Sequence, residues 1–172
     1  MTDRTSSDAG RAHCAVGFIS HYYEKLAAAA AHLQSPLLLA IRLYWGWQLF
    51  QTGSGKLGNH EHVTEYFTSL HIPLPGLNAW LVGLTECVGG LFLLAGLLSR
   101  VTAIALSILL AVAYLTDPDN LKTVQHIFTE PDKFTAADPF LFLFAAVIVL
   151  AFGPGKFSVD ALLSRVTRLK LS

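Results

Sequence analysis

Two charged residues, Arg42 and Glu86, stand inside apolar runs of this 172-residue chain. A charge at such depth in hydrocarbon costs several kcal/mol, so each needs a partner or a wet cavity. A buried guanidinium can hold an oxyanion, and a buried carboxyl in a polar pocket can relay protons. The same two groups can equally form a charge pair that fixes helix register and performs no chemistry. Gln48, two turns beyond Arg42, comes closer to the level of Glu86. Lys56 lies in the glycine-bracketed GSGKL, Gly53 to Leu57, whose exposed N–H groups make a weak anion nest. No GxxxxGK[ST] is present, so this is not a phosphate-binding P-loop, and a lysine snorkelling to an interface is the plainer reading. His60, His62, His71 and His126 show no recognisable metal-ligand spacing, and no metal is expected. His126 is the better functional candidate among them, because its segment can fold over the mouth of a helical bundle.

These residues are positioned by four apolar runs. The central one, Ala79 to Leu98, is AWLVGLTECVGGLFLLAGLL. Its roughly 20 residues match a hydrocarbon core about 30 Å thick. Glu86 lies in its outer half, and Gly83, Gly89, Gly90 and Gly96 let a second backbone approach, as membrane helix pairs require. An earlier run begins at Ser35-Pro36, where proline suits a first helical turn, and is expected to break at Gly53-Ser54-Gly55-Lys56. A polar loop to about Asn78 follows. The third run, Val101 to Thr116, forms a hairpin with the second through Ser99-Arg100. The fourth, Pro139 to Phe152, is short and would cross only if extended from Phe134 to Phe157. Before all four, Met1 to Gly10 reads as unstructured, and Phe18 to Gln34 as a helix suited to a membrane surface or to solvent. A short basic amphipathic tail ends the chain.

By depth, Arg42 falls about 9 Å inside its end of the first run and Glu86 about 10 Å inside the opposite end of the second. In a core about 30 Å thick they differ in depth by some 10 Å, which leaves direct pairing open.

Composition agrees with a membrane setting. The chain is 53% hydrophobic but only 14% charged, where soluble domains carry about 25% charged residues. Net charge is formally zero, so no overall field favours nucleic acid. Cys14 and Cys87 form no CxxC pair, which disfavours thiol–disulfide exchange. With four crossings, Arg4, Arg11, Lys25, Arg100, Lys156, Arg165, Arg168 and Lys170 share one side. Only Lys56, Lys122 and Lys133 lie opposite, which predicts cytoplasmic termini.

Arg42, GSGKL, the LPG before the second run, GLTECVGGLFLLAGLLSR (83–100) and GPGKFSVD (153–160) occur in order. Together they resemble the DoxX/DoxD family of small four-helix integral membrane proteins. The resemblance implies an all-α four-helix membrane bundle over residues 36–163; composition and the lysine and arginine count add a partly helical cytoplasmic segment, 1–35, before it and a basic cytoplasmic tail, 164–172, after it. It implies a bacterial cytoplasmic membrane and a link to sulfur and redox metabolism, since DoxD resembles a subunit of a thiosulfate:quinone oxidoreductase. Two functions are therefore expected. One is a non-catalytic subunit or assembly partner of a larger membrane complex. The other is a polar intramembrane pocket for a quinone or small sulfur species, built from Arg42, Gln48, Lys56, Glu86 and His126. No intrinsic cofactor is expected beyond such a quinone. The aromatics Tyr44, Trp45, Trp47 and Phe50 can stack on a quinone ring or form an interfacial belt.

Overall fold

A computed structural model describes the backbone of residues 4–170; the side chains of residues 1–23, 26–29 and 167–172 lie outside the described set. Every regular element among the described residues is helical. In order they are α1 (Arg4–Gly58), α2 (His60–Ser69), α3 (Pro75–Ala95), α4 (Ser99–Thr116), α5 (Pro118–Gln125), α6 (Pro131–Ala136), α7 (Pro139–Phe152) and α8 (Val159–Lys170).

The first helix departs from the sequence expectation at three points. It begins at Arg4, inside the stretch expected to be unstructured, and passes through Pro36 without a new start. It also continues through Gly53 to Gly58. Proline removes one backbone bond and glycine weakens helix propensity, but packing against another helix outweighs both. The proposed surface character of 18–34 falls largely on side chains outside the described set.

That packing partner is α3. Gly46 and Gly53 of α1 face Gly90 and Gly83 of α3, each pair seven residues apart and running in opposite directions. A Cβ on Gly53 would stand 2.4 Å from the Cys87 nitrogen, and one on Gly90 would stand 2.6 Å from the Phe50 nitrogen. The two backbones are therefore in direct contact, as the glycine spacing of α3 led one to expect. Leu49, Leu93, Ala103, Leu106, Ala146 and Val149 bring α1, α3, α4 and α7 into one apolar cluster. Trp45 meets Phe142 edge-on at 5.3 Å and adds a second tie between α1 and α7.

α7 ends at 14 residues, and the extension needed for an independent crossing does not form. Residues 131–136 make the separate α6, and Gly153 turns the chain away with φ of 76°. The loop expected before α3 contains α2, whose Val63 and Phe67, with Leu70 just past its end, recur at helical spacing.

Around the apolar core, a few polar groups are buried and many aliphatic groups face outward. Arg42, Glu86, Ser99 and Thr102 are buried, while Leu84, Leu91, Ile104 and Ile108 are about half exposed. In water such a surface would be an aggregation hazard; in lipid it is the expected exterior. By length and composition α3 and α4 can each cross a membrane.

The α3–α4 turn is clamped from the far end of the chain. α3 closes with a Schellman pattern: Leu97 N–H donates to Phe92 at 3.0 Å, Gly96 N–H to Leu93 at 3.2 Å, and Gly96 has φ of 66°. Asp160 of α8 accepts from Leu98 N–H at 2.8 Å and Ser99 N–H at 2.9 Å, serving as the missing N-cap of α4. Burial pushes the Asp160 carboxyl up, but the Ser99 and Leu98 hydrogen bonds and the Arg42 charge together hold it below its ordinary value. Its stabilising effect is therefore present above the unfolded value, about 3.9, and is lost as pH falls through the lower folded value. Asp160→Ala should lower the unfolding free energy by about 1–2 kcal/mol and remove that acid-side dependence, as melting curves at several pH values would show.

Candidate functional site

Arg42 and Glu86 do not meet. Arg42 is 1% exposed and sits at the C-terminal end of α3. Its Nε donates to the Leu93 carbonyl at 3.1 Å, and its Nη2 to Phe157 at 2.9 Å and Leu94 at 3.4 Å. Its Nη1 donates to the Pro154 carbonyl. The guanidinium thus caps the carbonyl end of α3, where a cation is favoured by the helix dipole, and fastens the 153–158 loop. A Cβ on Gly96 would stand 2.7 Å from its Cζ, so this glycine makes room for the charge. Leu93 and Leu94 lie seven and eight residues beyond Glu86. At 1.5 Å per residue that is about 10–12 Å, the separation in depth that sequence left open. The Arg42–Glu86 pairing is therefore replaced by two separate polar centres.

Glu86 instead pairs with Lys56, Nζ to Oε1, at 2.6 Å. The continuation of α1 through GSGKL makes this possible, since it carries Lys56 along α3 toward the level of Glu86. Glu86 is 4% exposed, and its Oε2 accepts no hydrogen bond. The Lys56 side chain keeps 36% of its surface exposed. Lys56 is thus more than a snorkelling lysine; it is the counter-charge of a buried carboxylate.

The pair lies at a cavity of about 650 Å³ among α2, α3, α4, α5 and the start of α7. Val63, Phe67, Val82, Leu109 and Val112 supply apolar wall, and His62, Tyr66, Asn78 and Asp117 bring polar groups. Tyr66 donates to Asp117 Oδ2 at 2.9 Å and joins α2 to the start of α5. Burial first, then this hydrogen bond and the charges of Asp117 and Asp119, push the Tyr66 phenol up from its ordinary value. An apolar chamber with a few convergent polar groups is the usual form of a small-molecule site.

The other expected members are elsewhere. Gln48 is half-buried and does not line the cavity. His126 ends α5, is exposed, and has Nδ1 2.9 Å from the Lys122 carbonyl. Its segment folds into α5 by local hydrogen bonds, and Asn120 of that helix lines the cavity whereas His126 does not. Tyr44 and Trp47 are exposed, and the aromatic cluster stays outside the cavity. His60 contacts the Gly76 carbonyl at 2.9 Å and the Trp80 ring at 5.1 Å, while His62 reaches the cavity. Sequence reasoning missed Tyr66, Asn78 and Asp117; the helical spacing of Val63, Phe67 and Leu70 was the available signal.

Charged groups inside, aliphatic groups outside and two helices of crossing length define a helical integral membrane protein. Comparison with known proteins agrees. Residues 37–117, a little under half of the chain, match the family model described as DoxX, and this region is similar to that family. The match covers the last two-fifths of α1 together with α2, α3 and α4; the GPGKFSVD segment lies beyond it. A Haemophilus influenzae protein described as uncharacterized is 25% identical over 133 residues, covering 75% of this chain and 84% of the relative. No solved structure matches the chain.

Proposed function

We propose that this protein binds the head group of a quinone in the cavity beside Lys56 and Glu86, as part of a membrane redox system. The observation that carries the reading is the buried Lys56–Glu86 pair at the edge of an apolar chamber. Lys56 supplies N–H donors for a carbonyl, Glu86 holds the lysine in place as its counter-charge, and the walls accept a ring and the start of an apolar tail. The family resemblance, with its link to quinone-dependent sulfur oxidation, supports the same choice. Four helical segments cross the bacterial cytoplasmic membrane in this reading: the Pro36–Gly58 part of α1, then α3, α4 and α7. The lysine and arginine distribution supports cytoplasmic termini, with the cavity then on the outer side. α7 is short for an independent crossing and relies on its packing against α4 and α1.

Purified protein should bind a soluble quinone analogue in one-to-one stoichiometry, and Lys56→Leu, which removes the donor to its carbonyl, should weaken binding roughly tenfold or more. Loss of the carboxylate, in turn, leaves Lys56 unpaired. A double-mutant cycle of Glu86→Gln with Lys56→Gln should therefore show coupling of about 1–3 kcal/mol in stability. The cycle of Glu86→Gln with Arg42→Gln should be additive within about 0.5 kcal/mol, as expected for sites about 10 Å apart.

A second reading, a non-catalytic subunit of a larger membrane complex, is favoured by Arg42, whose hydrogen bonds all go to backbone carbonyls. Co-purification at fixed stoichiometry with other subunits, without quinone binding, would decide for it.

A further inference from the structure

We infer that α8 lies in the interface of the same bilayer and that the basic residues around its start hold the head groups of anionic phospholipid. The inference is independent of the quinone reading and concerns the opposite end of the bundle from the cavity. Its first basis is position. Ser158 Oγ accepts from Ala161 N–H at 3.1 Å and so caps α8. Asp160 N–H donates to the Gly96 carbonyl at 3.0 Å, while the Asp160 carboxylate takes the Leu98 and Ser99 N–H groups. Gly96 to Ser99 is the turn between α3 and α4, the two helices of crossing length. The turn of such a hairpin stands where hydrocarbon meets water, so α8 starts at that boundary.

The second basis is the division of its surface. Leu162, Leu163 and Val166 share one face by helical spacing and are each more than half exposed, whereas Ser164 lies on the other face. The apolar face continues into the exterior of the bundle, because Leu98 and Val101 beside the clamp are also more than half exposed. A helix of this kind at this level rests its apolar face on the acyl chains.

Charge names the lipid. From Pro139 to Ser172 the sequence holds one acid, Asp160, against Lys156, Arg165, Arg168 and Lys170. The carboxylate of Asp160 is already engaged by two N–H groups. Lys156 and Arg165 are exposed. Arg100 joins them, since its Nη2 lies 4.0 Å from where a Cβ on Gly153 would stand, against the loop that carries Lys156. An anionic head group matches this excess of cations and a zwitterionic one does not. The lysine and arginine count favours the cytoplasmic side for this end, and the leaflet there is rich in anionic lipid.

Two measurements on the full chain test the assignment. Spin labels are placed singly at positions 162, 164 and 166 by cysteine substitution, in a chain carrying Cys14→Ser and Cys87→Ser, and the protein is reconstituted into vesicles of phosphatidylcholine and phosphatidylglycerol. Labels at 162 and 166 should collide with oxygen dissolved in the lipid, and the label at 164 with a water-soluble nickel chelate. Chelate access at all three positions would mean that the stripe is left for a protein partner, and would overturn the inference. The second measurement needs no change to the cysteines. Detergent-purified protein is titrated with phosphatidylglycerol or phosphatidylcholine and read by native mass spectrometry. Phosphatidylglycerol should bind more tightly, and each of Arg100→Gln, Lys156→Gln and Arg165→Gln should cost about fivefold in its affinity while leaving that of phosphatidylcholine unchanged. Equal affinity for the two lipids, or a preference untouched by all three substitutions, would contradict the assignment.

Discussion

Replacing Arg42 by leucine should lower the unfolding free energy by about 3–5 kcal/mol, the largest effect expected of any polar substitution in this protein. One guanidinium serves carbonyls of Leu93, Leu94, Pro154 and Phe157, and so joins α1 to the end of α3 and to the loop before α8. Its loss leaves several buried carbonyls without donors and removes a favourable charge from the α3 terminus. Arg42→Lys keeps the charge but not the fork, and should recover less than half of the loss. Thermal unfolding of detergent-purified variants, read by circular dichroism, checks both. The quinone affinity of any folded Arg42 variant should stay within about threefold, because the cavity lies seven to eight residues away along α3.

Opening the α1–α3 contact should be at least as damaging. Gly53→Leu or Gly90→Leu would force a side chain into the opposing backbone, where even a Cβ comes within 2.4 and 2.6 Å of backbone nitrogen. The helices must separate, which costs the contacts along the whole pair and displaces Lys56 from Glu86. Alanine at either site should cost about 1–3 kcal/mol, and leucine should prevent accumulation of folded protein. Gly55→Ala is the control: a Cβ there meets nothing within 4 Å, and it should be neutral or slightly stabilising. Yields after membrane extraction and size-exclusion profiles distinguish these outcomes.

Much of the scaffold can be read from the chain because lipid imposes a simple rule on composition. The Ala79–Leu98 run, its glycines and the α3–α4 hairpin follow from length, hydropathy and the need for close backbone approach. What escapes is decided by packing. Pro36 and GSGKL look like helix boundaries by local propensity, yet α3 holds α1 helical through both. That extension carries Lys56 to Glu86 and so determines which cation meets the carboxylate. Arg42 and Glu86 were both legible as groups in need of partners. Their depth difference of some 10 Å argued against a direct pair without excluding it. The partner of Arg42, a set of backbone carbonyls, has no side-chain signature at all. Asp160 is similar: only the fold brings it 61 residues back along the chain, to the bare N-terminus of α4. His126 looked suited to a lid, but Asp117 and Pro118 start a local helix that carries it outward.

The most direct measurement is photolabelling of the purified protein with a quinone bearing a photoreactive group on its ring, followed by mapping of the labelled peptides. Label should fall on the chamber walls, at Tyr66, Val82 or Val112, and should disappear when excess unlabelled quinone is present. Label confined to the outward residues Trp80, Leu84 and Ile108, and indifferent to competitor, would mean that the ring dissolves in the surrounding lipid and that the chamber does not receive it.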